Sequence, residues 1–328
     1  MHRVNWKWLL LVLVALVVVS LSGQAWRIGH WLPSSSPHQA DIGVSHRAPR
    51  VDSEQLLSDV AALSFVRSQA EGRDRARRYI MQSLTQSGWT VQRQPFTAAG
   101  KTGENLVAIR PGRDATAGIV LLGAHYDTVG RSPGADDNAT AVATLLETAR
   151  LLGSEATSHP LHLVLFDLEE AGLLGSTAFV EAIPNPRAYD GAMILDMLGY
   201  RCTVPGCQTY PSLPIAPPSD QGDFLAVIVD QGHAALLSAV QAQPTGVPVF
   251  TLAIPPFSNL MPDAMRSDHA PFWNRGIGAL LVTDTANFRN PHYHQATDTP
   301  ETLDSAFLAS AAQVVVDAIA TLTHTPSQ

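Results

Sequence analysis

The sequence contains few of the residues that would place it in several common classes of protein. Only 2 of its 328 residues are cysteine, which excludes a disulfide-rich scaffold and a zinc module with four cysteine ligands. Its net charge is −8, and no cluster of lysine and arginine carries interleaved aromatic residues, which argues against nucleic acid as a partner. It has no internal repeat, and the absence of a G-x-S-x-G motif argues against a serine hydrolase of the α/β type.

The composition is that of a folded globular protein. Hydrophobic residues make up 45% of the chain and charged residues 15%, so a sizeable core can be buried. Beyond the first fifty residues, the chain is long enough for one large α/β domain or two small ones.

The first residues of the chain have the pattern of an export signal. Arg3 and Lys7 precede the uncharged residues 8–26, whose most apolar part is 8–19. We therefore predict a signal peptide or signal anchor over 1–26 and a Pro/Ser-rich linker over 27–50. Residues 51–328 then form the folded domain. This domain is expected to be exported to a periplasmic or other extracytoplasmic location. Residues 8–26 are either cleaved off or retained as a single-pass membrane anchor.

The two cysteines, Cys202 and Cys207, lie close together in the chain. In an exported protein they can form a small-loop disulfide, whereas two free thiols are the alternative reading. The spacing alone does not choose between the two.

Apolar runs and helical patterns alternate along the folded domain, which predicts an α/β fold. Strands are predicted at 89–96, 105–110, 119–123, 161–166, 192–195, 249–253 and 279–282. Helices are predicted after the capping residues Asp52 and Ser53, and at 73–87, 139–152, 171–183 and 302–323. The Pro-rich stretches 205–218 and 255–262 are expected to be loops. This order predicts three αβα layers, with a central mixed β-sheet flanked by helices.

Metal-ligating residue types follow the predicted strands. His125 follows the strand at 119–123, Glu169 and Glu170 follow the strand at 161–166, and Asp196 follows the strand at 192–195. The helix at 139–152 is preceded by Asp137, and a loop after the last strand holds His292 and His294. Because sites in open α/β sheets form beyond the carboxyl ends of strands, these side chains are expected to converge.

This set of residues has the composition of a two-metal site. Two cations roughly 3.5–4 Å apart need a carboxylate that spans them, which Asp137 can supply. His125 and Asp196 would complete one metal, and Glu170 and His294 the other. Glu169 is free to act as general base. Asp127 is placed to accept the free ring N–H of His125.

The motifs resemble those of the co-catalytic di-zinc aminopeptidases, which share a fold with glutamate carboxypeptidase and glutaminyl cyclase. The matching text is A-H-Y-D at 124–127, G-A-D-D-N at 134–138, D-L-E-E at 167–170, L-D-M-L-G-Y at 195–200, S-D-H-A-P-F at 267–272 and Y-H-Q-A-T-D-T at 293–299. The resemblance covers about 51–328. It implies a cis bond after Asp137, the choice of His294 over His292, and a role for Tyr293 in stabilising the oxyanion.

The resulting prediction is a zinc-dependent aminopeptidase with two Zn²⁺ per chain, acting on peptides with a free N-terminus. Two alternatives stay open: a single-zinc glutaminyl cyclase on the same fold, and a non-catalytic binding ectodomain. The triplet Ser267-Asp268-His269 has the residue types of a serine triad, but consecutive residues do not converge as a triad must. Asp268 and His269 are therefore expected to be buried polar support for the site.

Overall fold

Eight strands form one sheet in the part of the chain that the structure describes. The structure is a computed structural model that describes residues 48–211, 219–241, 246–255 and 262–324. The predicted signal segment 1–26 and nearly all of the linker 27–50 lie outside these residues. The strands are β1 Val91–Ala98, β2 Lys101–Arg110, β3 Ile119–His125, β4 Leu161–Phe166, β5 Tyr189–Leu195, β6 Leu225–Asp230, β7 Val249–Ile254 and β8 Ala279–Thr283.

The strand order is β1-β2-β4-β3-β5-β8-β6-β7. The four central strands β4, β3, β5 and β8 are parallel to one another. Antiparallel pairs flank them, because β2 pairs antiparallel with β4 and with β1, and β6 pairs antiparallel with β8. The outermost strand β7 pairs parallel with β6, so both run opposite to the four central strands. The sheet is therefore mixed, as predicted, and the carboxyl ends of the four central strands share one edge.

Helices pack on both faces of this sheet. They are α1 Ser53–Leu63, α2 Ala70–Gln86, α3 Ala141–Leu152, α4 Leu174–Glu181, α5 Ser238–Gln241, α6 His269–Asn274 and α7 Ser305–His324. Alternate residues of the central strands point to opposite faces of the sheet. On one face, Leu163 and Leu165 of β4 join the core under α1, α2, α3 and α7. Val164 and Phe166 join a second apolar cluster with residues of α4 and α6. The three-layer αβα prediction is confirmed.

Local backbone conformation explains where element boundaries differ from those predicted. The helix predicted at 171–183 begins only at Leu174, because Gly172 and Leu173 have positive φ angles of 106° and 59°. The strand predicted to begin at 105 begins at Lys101, because β1 and β2 form a tight hairpin through Ala99 and Gly100. Strand β6 and helices α5 and α6 were not among the predicted elements.

The last helix, α7, is the one described helix that is long and apolar enough to cross a membrane. Of its most apolar window, 67% is buried inside the fold. Its apolar side chains, such as Val315 and Ile319, belong to the main core. It is therefore the core helix of the domain.

The two cysteines are joined by a disulfide. Cys202 and Cys207 form the bond within the loop that follows β5, and Cys202 also pairs with Gly222 in an isolated bridge. The alternative of two free thiols is thereby set aside.

Candidate metal centre

The predicted site residues meet at the carboxyl edge of the parallel strands. His125 is the last residue of β3, and Asp196 directly follows β5. Glu169 and Glu170 lie in the loop after β4, and His294 lies in the loop after β8. Strand register places these ends side by side, since His125 pairs with Phe166 of β4.

Asp137 lies between the two histidines. Its Oδ1 is 3.4 Å from His125 Nε2, and its Oδ2 is 3.2 Å from His294 Nε2. One oxygen therefore faces each imidazole, which is the arrangement expected of a carboxylate that bridges two cations.

The remaining carboxylates divide into two groups around this bridge. His125 Nε2 is 3.7 Å from Asp196 Oδ1, and these two residues lie with Glu169 in one cluster of possible ligand atoms. His294 Nε2 is 3.1 Å from Glu170 Oε2, and these two lie with Asp137 in a second cluster. Within each cluster the candidate atoms are within 4.8 Å of one another. The geometry thus brings together all five predicted ligands and the predicted base.

The turn that carries Asp137 is held by backbone hydrogen bonds to Asp298. The Asp298 carboxylate accepts the N–H of Asp136 at 2.9 Å and that of Asp137 at 3.1 Å. Residues Ala135–Thr140 form a kinked turn in which Asp137 and Asn138 have non-helical backbone angles, and the Asp137–Asn138 bond is cis, as the resemblance implied. Asp298 lies in the quoted motif at 293–299, but sequence reasoning assigned it no role.

Asp127 holds the loop that carries the two glutamates. Its Oδ1 accepts the N–H of Glu169 at 3.0 Å, and its Oδ2 accepts the N–H of Glu170 at 3.2 Å. Asp127 Oδ1 is also 3.5 Å from His125 Nδ1, a longer separation than a good hydrogen bond. The carboxylate therefore links the ends of β3 and β4.

Burial and the neighbouring charges shift the pKa values of the site residues. Burial alone lowers the pKa of His125, but the Glu169 carboxylate and contacts with other acids raise it well above its usual value. Burial raises the pKa of Glu169 well above its usual range, and it raises the pKa of Glu170 to about 7. Burial likewise opposes ionisation of Asp137, but contacts with both histidines lower the pKa of its carboxyl.

These residues fit a pair of divalent cations. Four carboxylates and two imidazoles crowd together, and Glu170 Oε1 is buried without a hydrogen-bond partner. Buried charges are costly unless they are paired or coordinate a metal. Mixed imidazole and carboxylate donors in two sets of three suit zinc.

Tyr293, the predicted oxyanion donor, contacts the centre through His294. The Tyr293 ring stacks on the His294 imidazole at a centroid separation of 3.7 Å, and its hydroxyl accepts a hydrogen bond from Arg266. The rival ligand His292 instead places its Nδ1 at 2.9 Å from Thr297 Oγ1.

The triplet Ser267-Asp268-His269 is buried beside the centre. Asp268 is fully buried, and burial raises the pKa of its carboxyl to about 7. His269 Nε2 lies 2.7 Å from the carbonyl oxygen of Ala264, an arrangement in which the imidazole donates. The residues are therefore buried, as expected of polar support, and do not form a serine triad.

A pocket of about 720 Å³ opens onto the metal-ligand candidates. Both clusters line one side of it. The other side is an apolar wall made by one face of strands β6, β7 and β8, with the side chains Phe224, Ile228, Phe250, Leu252, Ile254 and Leu281. A substrate held here would meet the ligand cluster and apolar surface together.

Comparison with known proteins gives one family. The model of Peptidase family M28 matches residues 105–319. The uncharacterized protein YfbL of Escherichia coli (strain K12) is 34% identical over 272 residues, which cover 76% of this chain and 80% of YfbL. For several other curated relatives that it matches, the chain spans 40–46% of their length.

Solved structures share the fold. The aminopeptidase from Aneurinibacillus sp. strain AM-1 superposes with a TM-score of 0.67 at 19% identity, covering 85% of this chain and 95% of that one. The glutaminyl cyclase of Porphyromonas gingivalis gives a TM-score of 0.60 at 19% identity, covering 83% and 99%. Fold alone therefore does not separate a peptidase from a cyclase.

Proposed function

Since this chain belongs to peptidase family M28, we propose that it is a zinc-dependent aminopeptidase that removes the N-terminal residue from peptides. The observation that carries this proposal is the geometry of Asp137, which directs one oxygen toward His125 and the other toward His294. A carboxylate shared in this way supports two metal ions rather than one.

The proposed zinc ligands are His125 and Asp196 for one ion and Glu170 and His294 for the other, with Asp137 shared by both. Two divalent cations bound at such a site lower the pKa of water and polarise a peptide carbonyl. Glu169 is buried beside His125 and Asp196, where it can take a proton from the attacking water and deliver it to the leaving amine. The hydroxyl of Tyr293, at the rim, can donate to the developing oxyanion.

The surroundings of the centre support an N-terminal substrate. A free α-amine is a cation at neutral pH and would find Glu169, Glu170 and Asp196 around it. The apolar wall formed by β6, β7 and β8 favours an apolar side chain on the N-terminal residue. A carboxypeptidase would need cationic groups for a substrate carboxylate, whereas Arg266 is the one arginine or lysine that lines the described pocket.

The glutaminyl cyclase alternative rests on the shared fold, and it needs only one zinc. The two ligand clusters count against it, because the Asp137 carboxylate faces a histidine of each cluster. The binding-ectodomain alternative is weakened because none of the predicted ligands is missing from the site.

We also propose that the domain acts outside the cytoplasm. The apolar segment 8–26, preceded by Arg3 and Lys7, supports export. The disulfide between Cys202 and Cys207 supports the same compartment, because such bonds persist in oxidising environments.

The purified full chain tests the proposal with two substrate panels. Loaded with zinc, it is expected to release the N-terminal residue from aminoacyl amides, faster for leucine than for glutamate. Formation of pyroglutamate from glutaminyl peptides, without hydrolysis, would contradict the proposal. Glu169→Gln is expected to lower kcat by roughly 10²–10⁴ while zinc stays bound, as loss of a general base should. Loss of zinc in that variant would mean that Glu169 is a ligand instead.

A further inference from the structure

Arg67 is a fully buried arginine behind the metal centre. It lies in the connection between α1 and α2 and is 1% exposed. Among the hydrogen bonds of the described residues, its guanidinium donates only to backbone carbonyls. The acceptors are the carbonyl oxygens of Leu63, Phe65, Tyr126, Pro133 and Gly134, and those of Leu63, Phe65 and Pro133 share the two N–H groups of Nη1. A side chain that satisfies so many carbonyls at once fixes the chain segments that carry them.

Two of these segments carry proposed zinc ligands. Arg67 Nε donates to the carbonyl of Tyr126 at 2.7 Å, and Tyr126 directly follows His125. Nη1 and Nη2 donate to the carbonyls of Pro133 and Gly134 at 2.8 and 3.0 Å, at the entry to the turn that holds Asp137. One guanidinium therefore spans the end of β3 and the start of the bridging turn.

Gly134 packs closely against the Arg67 guanidinium. Gly134 has a φ of +65°, and a Cβ atom there would lie 2.7 Å from Arg67 Nη2 and 2.3 Å from the carbonyl oxygen of Asp137. The turn is thus held on one side by Arg67 and on the other by the Asp298 carboxylate.

Arg67 also brings a positive charge close to the acidic centre. Burial lowers its pKa to about 10, against the opposing effect of Asp137, Asp127, Asp298 and Glu170. The group therefore stays cationic at neutral pH. It offsets part of the repulsion among the carboxylates without occupying the space of a metal ion.

We propose that Arg67 is a positioning residue for the zinc centre, setting the separation between His125 and the bridging carboxylate of Asp137. The inference rests on the proposed function, because it presupposes that these two residues bind zinc. Only arginine fits the role: its planar fork offers five N–H donors, whereas lysine offers three from one atom. Lysine would keep the charge but release at least two of the carbonyls.

The test is zinc affinity of the full chain carrying Arg67→Lys, measured by titration of the metal-free protein against a competing chelator. Supporting groups of this kind affect metal affinity by about 10–100-fold, and a loss in that range is expected for R67K. Arg110→Lys is the matched control. Arg110 also donates to a backbone carbonyl, that of Leu152, but lies at the opposite edge of the sheet. R110K should bind zinc with wild-type affinity.

Each outcome has a separate meaning. Failure of the wild-type chain to bind zinc would remove the proposed function itself. Two zinc ions bound by wild type and by R67K with equal affinity would overturn the role of Arg67 and leave the proposed function intact. If R67K does not fold, Thr128→Val takes its place, because Thr128 Oγ1 accepts the backbone N–H of Arg67 at 2.9 Å. Weaker zinc binding by T128V supports the role, and unchanged binding contradicts it.

Discussion

Replacement of Asp127 by asparagine tests the hydrogen bonds that hold the loop carrying Glu169 and Glu170. The carboxylate is 2% exposed and accepts two backbone N–H groups, those of Glu169 and Glu170. Asparagine has nearly the same shape but only one oxygen. In the variant, one of these two N–H groups must face an NH2 group, which is also a donor.

The expected loss in the free energy of unfolding follows from the one backbone N–H that is left without an acceptor. A buried N–H without an acceptor costs about 1–3 kcal/mol. Loss of one negative charge among several carboxylates offsets part of this cost in the metal-free protein, so the lower end of the range is expected there. For a domain of this size, each 1 kcal/mol lowers Tm by about 2–4 °C. Because the displaced loop carries Glu170, zinc affinity should fall by about 10–100-fold.

The assay combines thermal unfolding of the metal-free protein with a zinc titration of the same preparation. Asp52→Asn is the control, since the Asp52 carboxylate also accepts two backbone N–H groups, those of Glu54 and Gln55 at the start of α1. Neither residue is a proposed ligand or adjoins one, so D52N should retain wild-type zinc affinity. Wild-type zinc affinity in D127N would contradict the proposed role of Asp127.

Two other substitutions test the role of Tyr293 in catalysis and the effect of His162 on the pH dependence of stability. Tyr293→Phe is expected to lower kcat by about 10²–10³ with little change in KM, the effect of removing one oxyanion donor; an unchanged kcat would exclude that role. Burial lowers the pKa of His162 to about 4 in the folded protein, below its value of about 6.5 in an unfolded chain. The unfolded state therefore binds more protons between these values, and stability is lost as pH falls through this window. His162→Leu should lessen that loss in urea unfolding at pH 7 and pH 5, and an equal loss in both proteins would contradict the assignment.

Local patterns were sufficient to predict the central part of the fold. Strands β3, β4 and β5 are largely buried on both faces and appear in the sequence as mostly apolar runs. Each run ends at a polar residue, and parallel pairing brings those residues to one edge. That is why His125, Glu170 and Asp196 could be placed together from the sequence alone.

Strand β6 was missed although residues 225–229 form the same kind of apolar run. The run follows a long Pro-rich stretch and carries none of the motif residues, so nothing placed it next to the site. Its neighbours β8 and β7 are distant in sequence, so its pairing depends on tertiary structure.

The groups that support the centre were missed for a different reason. Arg67 acts through backbone carbonyls, and carbonyl positions are not encoded by residue type. Asp298 likewise acts on the N–H groups of Asp136 and Asp137, which lie far away in sequence. The quoted motif at 293–299 contains Asp298, so its residue type was visible although its target was not.

The two-metal centre is tested most directly by diffraction from crystals of the zinc-loaded chain, recorded on both sides of the zinc absorption edge. We expect two anomalous peaks about 3.5–4 Å apart, with Asp137 between them. One peak should contact His125 and Asp196, and the other Glu170 and His294. A single peak, or two peaks that do not share Asp137, would contradict the two-metal centre on which the proposed function depends.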